Sequence, residues 1–197
     1  MRTERQFIWP ESIPEMATER LLLKGLSKQD AVGYFKINSM PEVMVPYGVP
    51  CHMKILETEN LIHWLDCEFK AERNLRWGIF EKETGNIIGD IGFWRLIPSR
   101  ASGELGAKLH PAFWRKGIIS EAMQAAVSYS FSKLNARTLE CYVEKTNQAS
   151  LKLCKRLGFC EVGIIKGYFY SEEKKDYVDS IFLTLNNDEW QAKENLL

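Results

Sequence analysis

The stretch that most constrains the fold is residues 103–134. Gly103 to Leu109 has the composition of a strand and is stopped by Pro111. Ile118 to Leu134 then sets Ile119, Ala122, Met123, Ala126, Val127, Phe131 and Leu134 along one stripe at helical spacing. A strand that feeds an amphipathic helix needs a sheet for that helix to cover. The flanking segments supply one. Leu75 to Lys82 and Ile87 to Ile97 are rich in β-branched and aromatic residues, and Glu83-Thr84-Gly85-Asn86 between them has the chemistry of a hairpin turn. Glu19 to Lys24 reads as a first strand, Thr138 to Val143 as another, and Phe159 to Tyr170 with Tyr177 to Leu185 as a closing pair.

Helices are expected from Asp30 to Asn38 behind Ser27 as N-cap, from Thr58 to Phe69, and from Gln148 to Leu157, ended by Gly158. Met40 to Met53, interrupted by Pro41, Pro46 and Pro50, reads as a loop that either walls a substrate cleft or only connects and packs. A run of strands, then a helix, one strand, a helix and a hairpin predicts an α/β (α+β) fold. Its sheet is mixed and mostly antiparallel, with helices on both faces, and it is not a doubly wound parallel sheet. At 197 residues, one domain is expected over 15–192 behind an N-terminal extension at 1–14.

Charge and cysteine usage narrow the function classes. The 26 basic residues balance the 26 acidic ones, whereas a nucleic-acid binder usually carries a basic surplus, so no direct nucleic-acid partner is expected. The five cysteines, Cys51, Cys67, Cys141, Cys154 and Cys160, form no CxxC pair, and an odd count fits a reducing compartment. The first residues are charged and broken by prolines, and no later stretch approaches a membrane span, so a cytoplasmic protein without a membrane partner is expected. Three histidines and scattered cysteines show no ligand spacing, so no metal is expected.

The loop of residues 109–120 is the most informative feature for chemistry. Leu109-His110-Pro111-Ala112-Phe113-Trp114-Arg115-Lys116-Gly117-Ile118-Ile119-Ser120 joins a strand to the amphipathic helix through a basic, glycine-bearing turn. Helix-start amides lack intrahelical partners and the helix dipole adds partial positive charge there, so an anion is a natural occupant, with Arg115 and Lys116 as counter-charges. The loop matches neither the Walker A pattern nor GxGxxG. A second segment, Asn147 to Phe159, reads NxxSxxLCxxLGF; Asn147 there is an N-cap by position, and Ser150 lies in the first turn.

These two segments, in this order with a strand between them, resemble the GCN5-related N-acetyltransferases (GNAT), and within them the ribosomal-protein N-terminal acetyltransferase branch, RimJ/RimL-like. The resemblance covers nearly the whole chain. Thr18-Glu19-Arg20-Leu21 is similar to the branch's opening, Gly103-Glu104-Leu105-Gly106 to its central strand, and Lys175-Asp176-Tyr177 leads into its final strand, ending near Glu189-Trp190. The resemblance implies acetyl-coenzyme A in an opening between two parallel strands, here Gly103 to Leu109 and Thr138 to Val143. It places the pyrophosphate on Arg115, Lys116, Gly117, Ile118, Ile119 and Ser120, and the pantetheine arm along the main chain near Leu109 and His110. Asn147 and Ser150 would add side-chain hydrogen bonds. Trp114 stands at the first position of the family's phosphate motif and Ile119 at the last, so Ile119 is expected to turn into the core. Cys154 replaces the tyrosine that many relatives use to protonate the departing thiolate. A thiol of pKa about 8.5 is either the donor or a buried packing residue.

The implied reaction is direct attack of an amine on acetyl-coenzyme A in a ternary complex, with no covalent enzyme intermediate. An α-amine, of pKa about 7.7–8.0, needs less help than a lysine amine at about 10.4, so a protein or peptide N-terminus is the expected acceptor. Glu104 is the candidate base, with a rim salt bridge as the structural alternative. A backbone N–H near Leu109 is the candidate oxyanion donor. His110 either titrates in the working range or is a solvated loop residue. Other readings are acetylation of a polyamine or aminoglycoside, which calls for an acidic cleft that Glu57, Glu59, Asp66 and Glu68 either line or do not, and a non-catalytic acetyl-coenzyme A-binding module. A homodimer is also compatible with the resemblance.

Overall fold

A computed structural model describes residues 7–171 and 174–194; residues 1–6 of the expected N-terminal extension lie outside the described residues. In chain order the strands are β1 (Met16–Ala17), β2 (Leu21–Lys24), β3 (Arg76–Glu81), β4 (Ile87–Ile97), β5 (Ser102–Leu109), β6 (Thr138–Glu144), β7 (Cys160–Ser171) and β8 (Asp176–Asn186). The helices are α1 (Ala31–Asn38), α2 (Pro41–Met44), α3 (Ile55–Lys70), α4 (Ile118–Ser132), α5 (Gln148–Leu157) and α6 (Asn187–Glu194). The strands follow the order β1-β2-β3-β4-β5-β6-β8-β7 in one mixed sheet, with β5 and β6 parallel. No helix among the described residues is long and apolar enough to cross a membrane.

Three details differ from the sequence reading. The expected loop at Met40 to Met53 contains the one-turn helix α2, in which Pro41 takes a first-turn position where its missing N–H costs nothing, and Val43 and Met44 are buried. The residue that α4 turns into the core at its start is Ile118, 6% exposed, while Ile119 is only half-buried. The short strand β1 and the terminal helix α6 were not anticipated.

The chain divides into two compact units. One takes Pro10–Phe93 and Gly106–Ala126; the other takes Trp94–Leu105, the described residues from Val127 onward and residues 7–9. In the first unit, β2 buries Leu21 and Leu23, β3 buries Trp77 and Ile79, and β4 buries Ile91 and Phe93. Helix α1 buries Ala31, Tyr34, Ile37 and Asn38, positions that share one helical face, and packs with Val43, Met44 and Ile62. Gly89 has no alternative residue, because a Cβ there would meet the Lys108 carbonyl oxygen at 2.4 Å.

This core also encloses charge. Asp90 is ion-paired with Arg76, lies 3.4 Å from the Lys108 ammonium, and accepts the Tyr34 hydroxyl at 2.9 Å. Arg76 donates to the Tyr47 hydroxyl at 3.0 Å, and the Lys108 ammonium stands over the rings of Tyr34 and Tyr47 at 5.0 and 5.2 Å. Burial, reinforced by Asp90, pushes the Tyr34 hydroxyl well above its usual range, so it stays a neutral donor. Burial lowers the Lys108 ammonium, and Asp90 opposes that.

In the second unit, β6 alternates cleanly. Leu139, Cys141 and Val143 are buried, while Thr138, Glu140, Tyr142 and Glu144 are half-buried. The parallel ladder pairs Ser102 with Thr138, Gly103 with Leu139 and Glu104 with Glu140. Antiparallel pairing with β8 runs from Thr138–Asn186 to Glu144–Ser180. Helix α5 buries Leu151, Cys154 and Leu157, and ends at Gly158 in a left-handed conformation. Trp190 of α6 packs on Phe131, ring centroids 6.2 Å apart, which gives this polar helix its anchor.

Candidate active site

The site residues fall into two sets, one in each unit. The first is the loop between β5 and α4. The His110 N–H donates to the Ile88 carbonyl at 2.8 Å. Successive amides of a strand point to opposite edges, so the Leu109 N–H is directed at the other edge of β5, as a main-chain donor there requires. The His110 ring accepts the Ala112 N–H at 3.2 Å and caps a 3₁₀ turn over Pro111–Phe113, which accounts for this histidine structurally. The Trp114 indole N–H donates to the Leu109 carbonyl at 2.7 Å and folds the loop back on the strand end.

Arg115 and Gly117 both take positive φ, 60° and 77°, so the chain turns twice within three residues before α4 begins. A Cβ on Gly117 would meet only the Arg20 guanidinium, at 3.5 Å, so it is the backbone conformation and not crowding that selects glycine here. Ile118, Ile119 and Ser120 form the first turn of α4, whose amides have no partner within the helix.

A feature that the sequence reading missed holds this loop. Arg20 donates to the Lys116 carbonyl at 2.9 Å and pairs with Glu121 at 2.7 Å, while the Arg20 N–H donates to the same carboxylate at 2.9 Å. The Thr18 hydroxyl donates to Glu121 as well. Burial works against the Glu121 charge, but the bonds from Thr18 and Arg20 outweigh it and keep this carboxyl below its usual range. The Thr-Glu-Arg-Leu opening is thus a clamp on the first turn of α4.

The second set lies on β4 to β8 and α5. Glu104, with a side chain 16% exposed, pairs with Arg95 at 3.0 Å. Arg95 also donates to the Tyr168 hydroxyl. Burial raises the Glu104 carboxyl above its usual range; Arg95 pulls it down and Glu140 pushes it further up. Glu140 accepts the Tyr142 hydroxyl at 3.2 Å, and Tyr142 stacks on Tyr168 at 4.6 Å and on Phe182 at 4.9 Å. Burial, then Glu140, pushes the Tyr142 hydroxyl up to about 12.

Cys154 is buried beside Cys141, which donates to the Leu105 carbonyl at 3.4 Å. The neighbouring Cys141 thiol lowers the Cys154 pKa, against the effect of burial. The Asn147 side chain accepts the Ser150 N–H at 3.1 Å and caps α5, as its position predicted.

Of the carboxylates considered for an acidic cleft, Glu57 accepts the Met53 N–H at 2.6 Å, Asp66 pairs with Lys70 at 2.6 Å and Glu68 with Arg73 at 2.5 Å. They serve α3 itself. Arg95, Glu140, Tyr142 and Tyr168 were not anticipated. The period-2 pattern of β6 could have placed Glu140 and Tyr142 on the face of Glu104; β7 shifts register between Ile165 and Phe169, which hides Tyr168 from any such count.

Comparison with known proteins gives the same class as the geometry. The profile of the Acetyltransferase (GNAT) domain family matches residues 20–160. The chain is 33% identical over 157 residues to the uncharacterized N-acetyltransferase YoaA of Bacillus subtilis (strain 168), covering 80% of this chain and 89% of that one. It belongs to the GNAT acetyltransferase family. Among solved structures, the ribosomal-protein-S5-alanine acetyltransferase of Vibrio fischeri superposes with a TM-score of 0.78 at 19% identity, covering 90% of this chain and 98% of that one. The spermidine N-acetyltransferase of Vibrio cholerae, solved with CoA and spermine, superposes with a TM-score of 0.78 at 20% identity, covering 88% and 99%. At such identities both share the fold alone with this chain.

Proposed function

We propose that this chain transfers an acetyl group from acetyl-coenzyme A to the α-amine of a protein or peptide, by direct attack with both substrates bound. The observation that carries the reading is the clamped loop. Two left-handed residues, a side-chain-free Gly117 and the cations Arg115 and Lys116, in a loop held by Arg20, form a cradle suited to a pyrophosphate. Arg115 to Ser120 would hold the phosphates through main-chain amides, and Leu109 and His110 would flank the pantetheine arm. Asn147 caps α5 with its side-chain oxygen, leaving its amide nitrogen and the Ser150 hydroxyl as donors. Acetyl-coenzyme A supplies the activated acyl group when bound.

The remaining chemistry falls to Glu104 and Cys154 of the second unit and to the main chain at Leu109 in the first. Glu104, lifted by burial, is a better proton acceptor than an exposed carboxylate for an ammonium of pKa about 7.7–8.0. The Leu109 N–H is the donor proposed for the developing oxyanion. The Cys141 thiol beside it lowers the Cys154 pKa, which makes the Cys154 Sγ–H a readier proton donor to a departing thiolate.

The test is a screen of peptide N-termini, polyamines and aminoglycosides with acetyl-coenzyme A, following free thiol. Peptide-dependent thiol release is expected. Turnover of polyamines or aminoglycosides without any peptide would overturn the acceptor. Coenzyme A binding without thiol release from any amine would reduce the chain to a binding module.

A further inference from the structure

The turn ahead of α4 contains a peptide unit whose orientation its own backbone leaves open. Reversing the Lys116–Gly117 peptide exchanges the sides on which the Lys116 carbonyl and the Gly117 N–H stand, because the two groups point in opposite directions across a trans peptide. A bulky residue after that peptide would favour one orientation by its clashes. Glycine admits both, since it takes positive and negative φ about equally readily. Gly117 stands at φ 77°, so a contact from outside the turn has to select that state.

The contact comes from Arg20, 96 positions earlier in the chain than Lys116. Its Nη1 donates to the Lys116 carbonyl at 2.9 Å, which fixes the peptide plane and turns the Gly117 N–H to the opposite side. The other edge of the guanidinium is occupied by Glu121, with Nε and Nη2 both 2.7 Å from the carboxylate. Glu121 in turn accepts the Arg20 main-chain N–H at 2.9 Å and the Thr18 hydroxyl. The charge of Arg20 is thus matched by its neighbour, and what reaches the turn is a directed hydrogen bond.

We propose that Arg20 is a positioning residue for coenzyme A, which keeps the Gly117 N–H turned toward the pyrophosphate by holding the Lys116 carbonyl away from it. The inference rests on the phosphate-loop reading given above and assigns a role to a residue that the loop itself does not contain. A left-handed residue followed by helical ones brings successive N–H groups into a concavity that suits an anion, and Gly117 leads into Ile118, Ile119 and Ser120 in that way. With the peptide reversed, a carbonyl oxygen takes the place of the Gly117 N–H and repels the phosphate. Arg115 and Lys116 do not compensate, because a side-chain cation attracts an anion without choosing which main-chain atom faces it. Lysine is not equivalent to Arg20 either: a planar guanidinium bonds a carboxylate along one edge and a carbonyl with its remaining nitrogen, whereas an ammonium is a point charge on a flexible stem.

The experiment compares the unaltered chain with Arg20→Lys and Arg20→Ala in calorimetric titrations with coenzyme A and with pantetheine, which has the same arm and no pyrophosphate. Neither titration needs an acceptor or turnover. Both variants are expected to bind coenzyme A about tenfold more weakly, the loss of one charge-assisted hydrogen bond together with the amide it orients. Pantetheine affinity should stay within about twofold, and the urea midpoint close to that of the unaltered chain, because the Arg20 side chain is 44% exposed and an exposed ion pair adds little to stability. Full coenzyme A affinity in Arg20→Lys with a loss in Arg20→Ala would make Arg20 a counter-charge and overturn the proposal. Equal losses for coenzyme A and pantetheine would make it a contact of the fold and overturn it as well. If the unaltered chain holds coenzyme A no more tightly than pantetheine, the phosphate reading of the loop falls together with the proposal. If it prefers coenzyme A and both variants keep that preference, the loop reading stands and the role of Arg20 alone fails.

Discussion

Each unit holds a cluster of ionised side chains, and the two are built on opposite principles. In the first unit Asp90, Arg76 and Lys108 are almost wholly shut off from solvent, and each is tied to another member or to a tyrosine. In the second, Glu104 and Glu140 are half-buried; Glu104 pairs with Arg95, Glu140 accepts the Tyr142 hydroxyl, and both border a stack of rings. Complete enclosure serves the fold, because removing one partner strands a charge where water cannot reach it. Partial enclosure, by contrast, raises the Glu104 pKa while leaving the group within reach of solvent, the setting that the proposed base requires.

The sharpest way to break this comparison is Asp90→Asn. It leaves Arg76 and Lys108 facing each other without a carboxylate and should cost about 3–5 kcal/mol in urea unfolding. A loss no greater than that of an exposed residue would mean the cluster is hydrated. Glu104→Gln should do the reverse, leaving stability nearly unchanged while kcat/KM with an α-amine acceptor falls about 10² near neutral pH, with the deficit shrinking as pH rises above the amine pKa. A mutant pH profile parallel to that of the unaltered chain would make Glu104 structural.

Gly117→Asp puts a side chain and a negative charge into the clamped loop at a left-handed position. Coenzyme A affinity should fall at least tenfold, about 1.4 kcal/mol, by calorimetric titration. The smallest effect is expected from Arg95→Ala. Arg95 lowers the Glu104 pKa, so removing it raises that pKa, and activity that needs the carboxylate should fade at a higher pH as acid is added. An unmoved acid limb of kcat/KM would separate Arg95 from the base.

What was legible in the sequence is local. Gly158 and the Glu83-Thr84-Gly85-Asn86 turn mark their element ends through chemistry that acts within a few residues, whereas Ser27 caps a 3₁₀ turn over Lys28–Asp30 and leaves Asp30 as the N-cap of α1. Helix α5 was placed to the residue because Asn147 and Gly158 cap it at both ends. Helix α2 was hidden because three prolines outweighed the buried pair Val43 and Met44, and α6 because a polar octet owes its place to one distant contact, Trp190 on Phe131. The turn ahead of α4 was legible from Gly117, whereas the partners of Glu104 were not. Arg95 and Tyr168 meet across strands 73 residues apart, and no spacing rule reaches that far.

The clamp of Thr18 and Arg20 on Glu121 has a consequence for the order in which the chain assembles. Its closing hydrogen bond spans 103 residues, so the turn before α4 cannot take its final form until most of the polypeptide has been made and the segment ahead of β2 has found the helix. Contacts of such long range form late, after the entropy of closing a large loop has been overcome. A nascent chain can therefore build the β3–β4 hairpin early and still lack the finished turn ahead of α4.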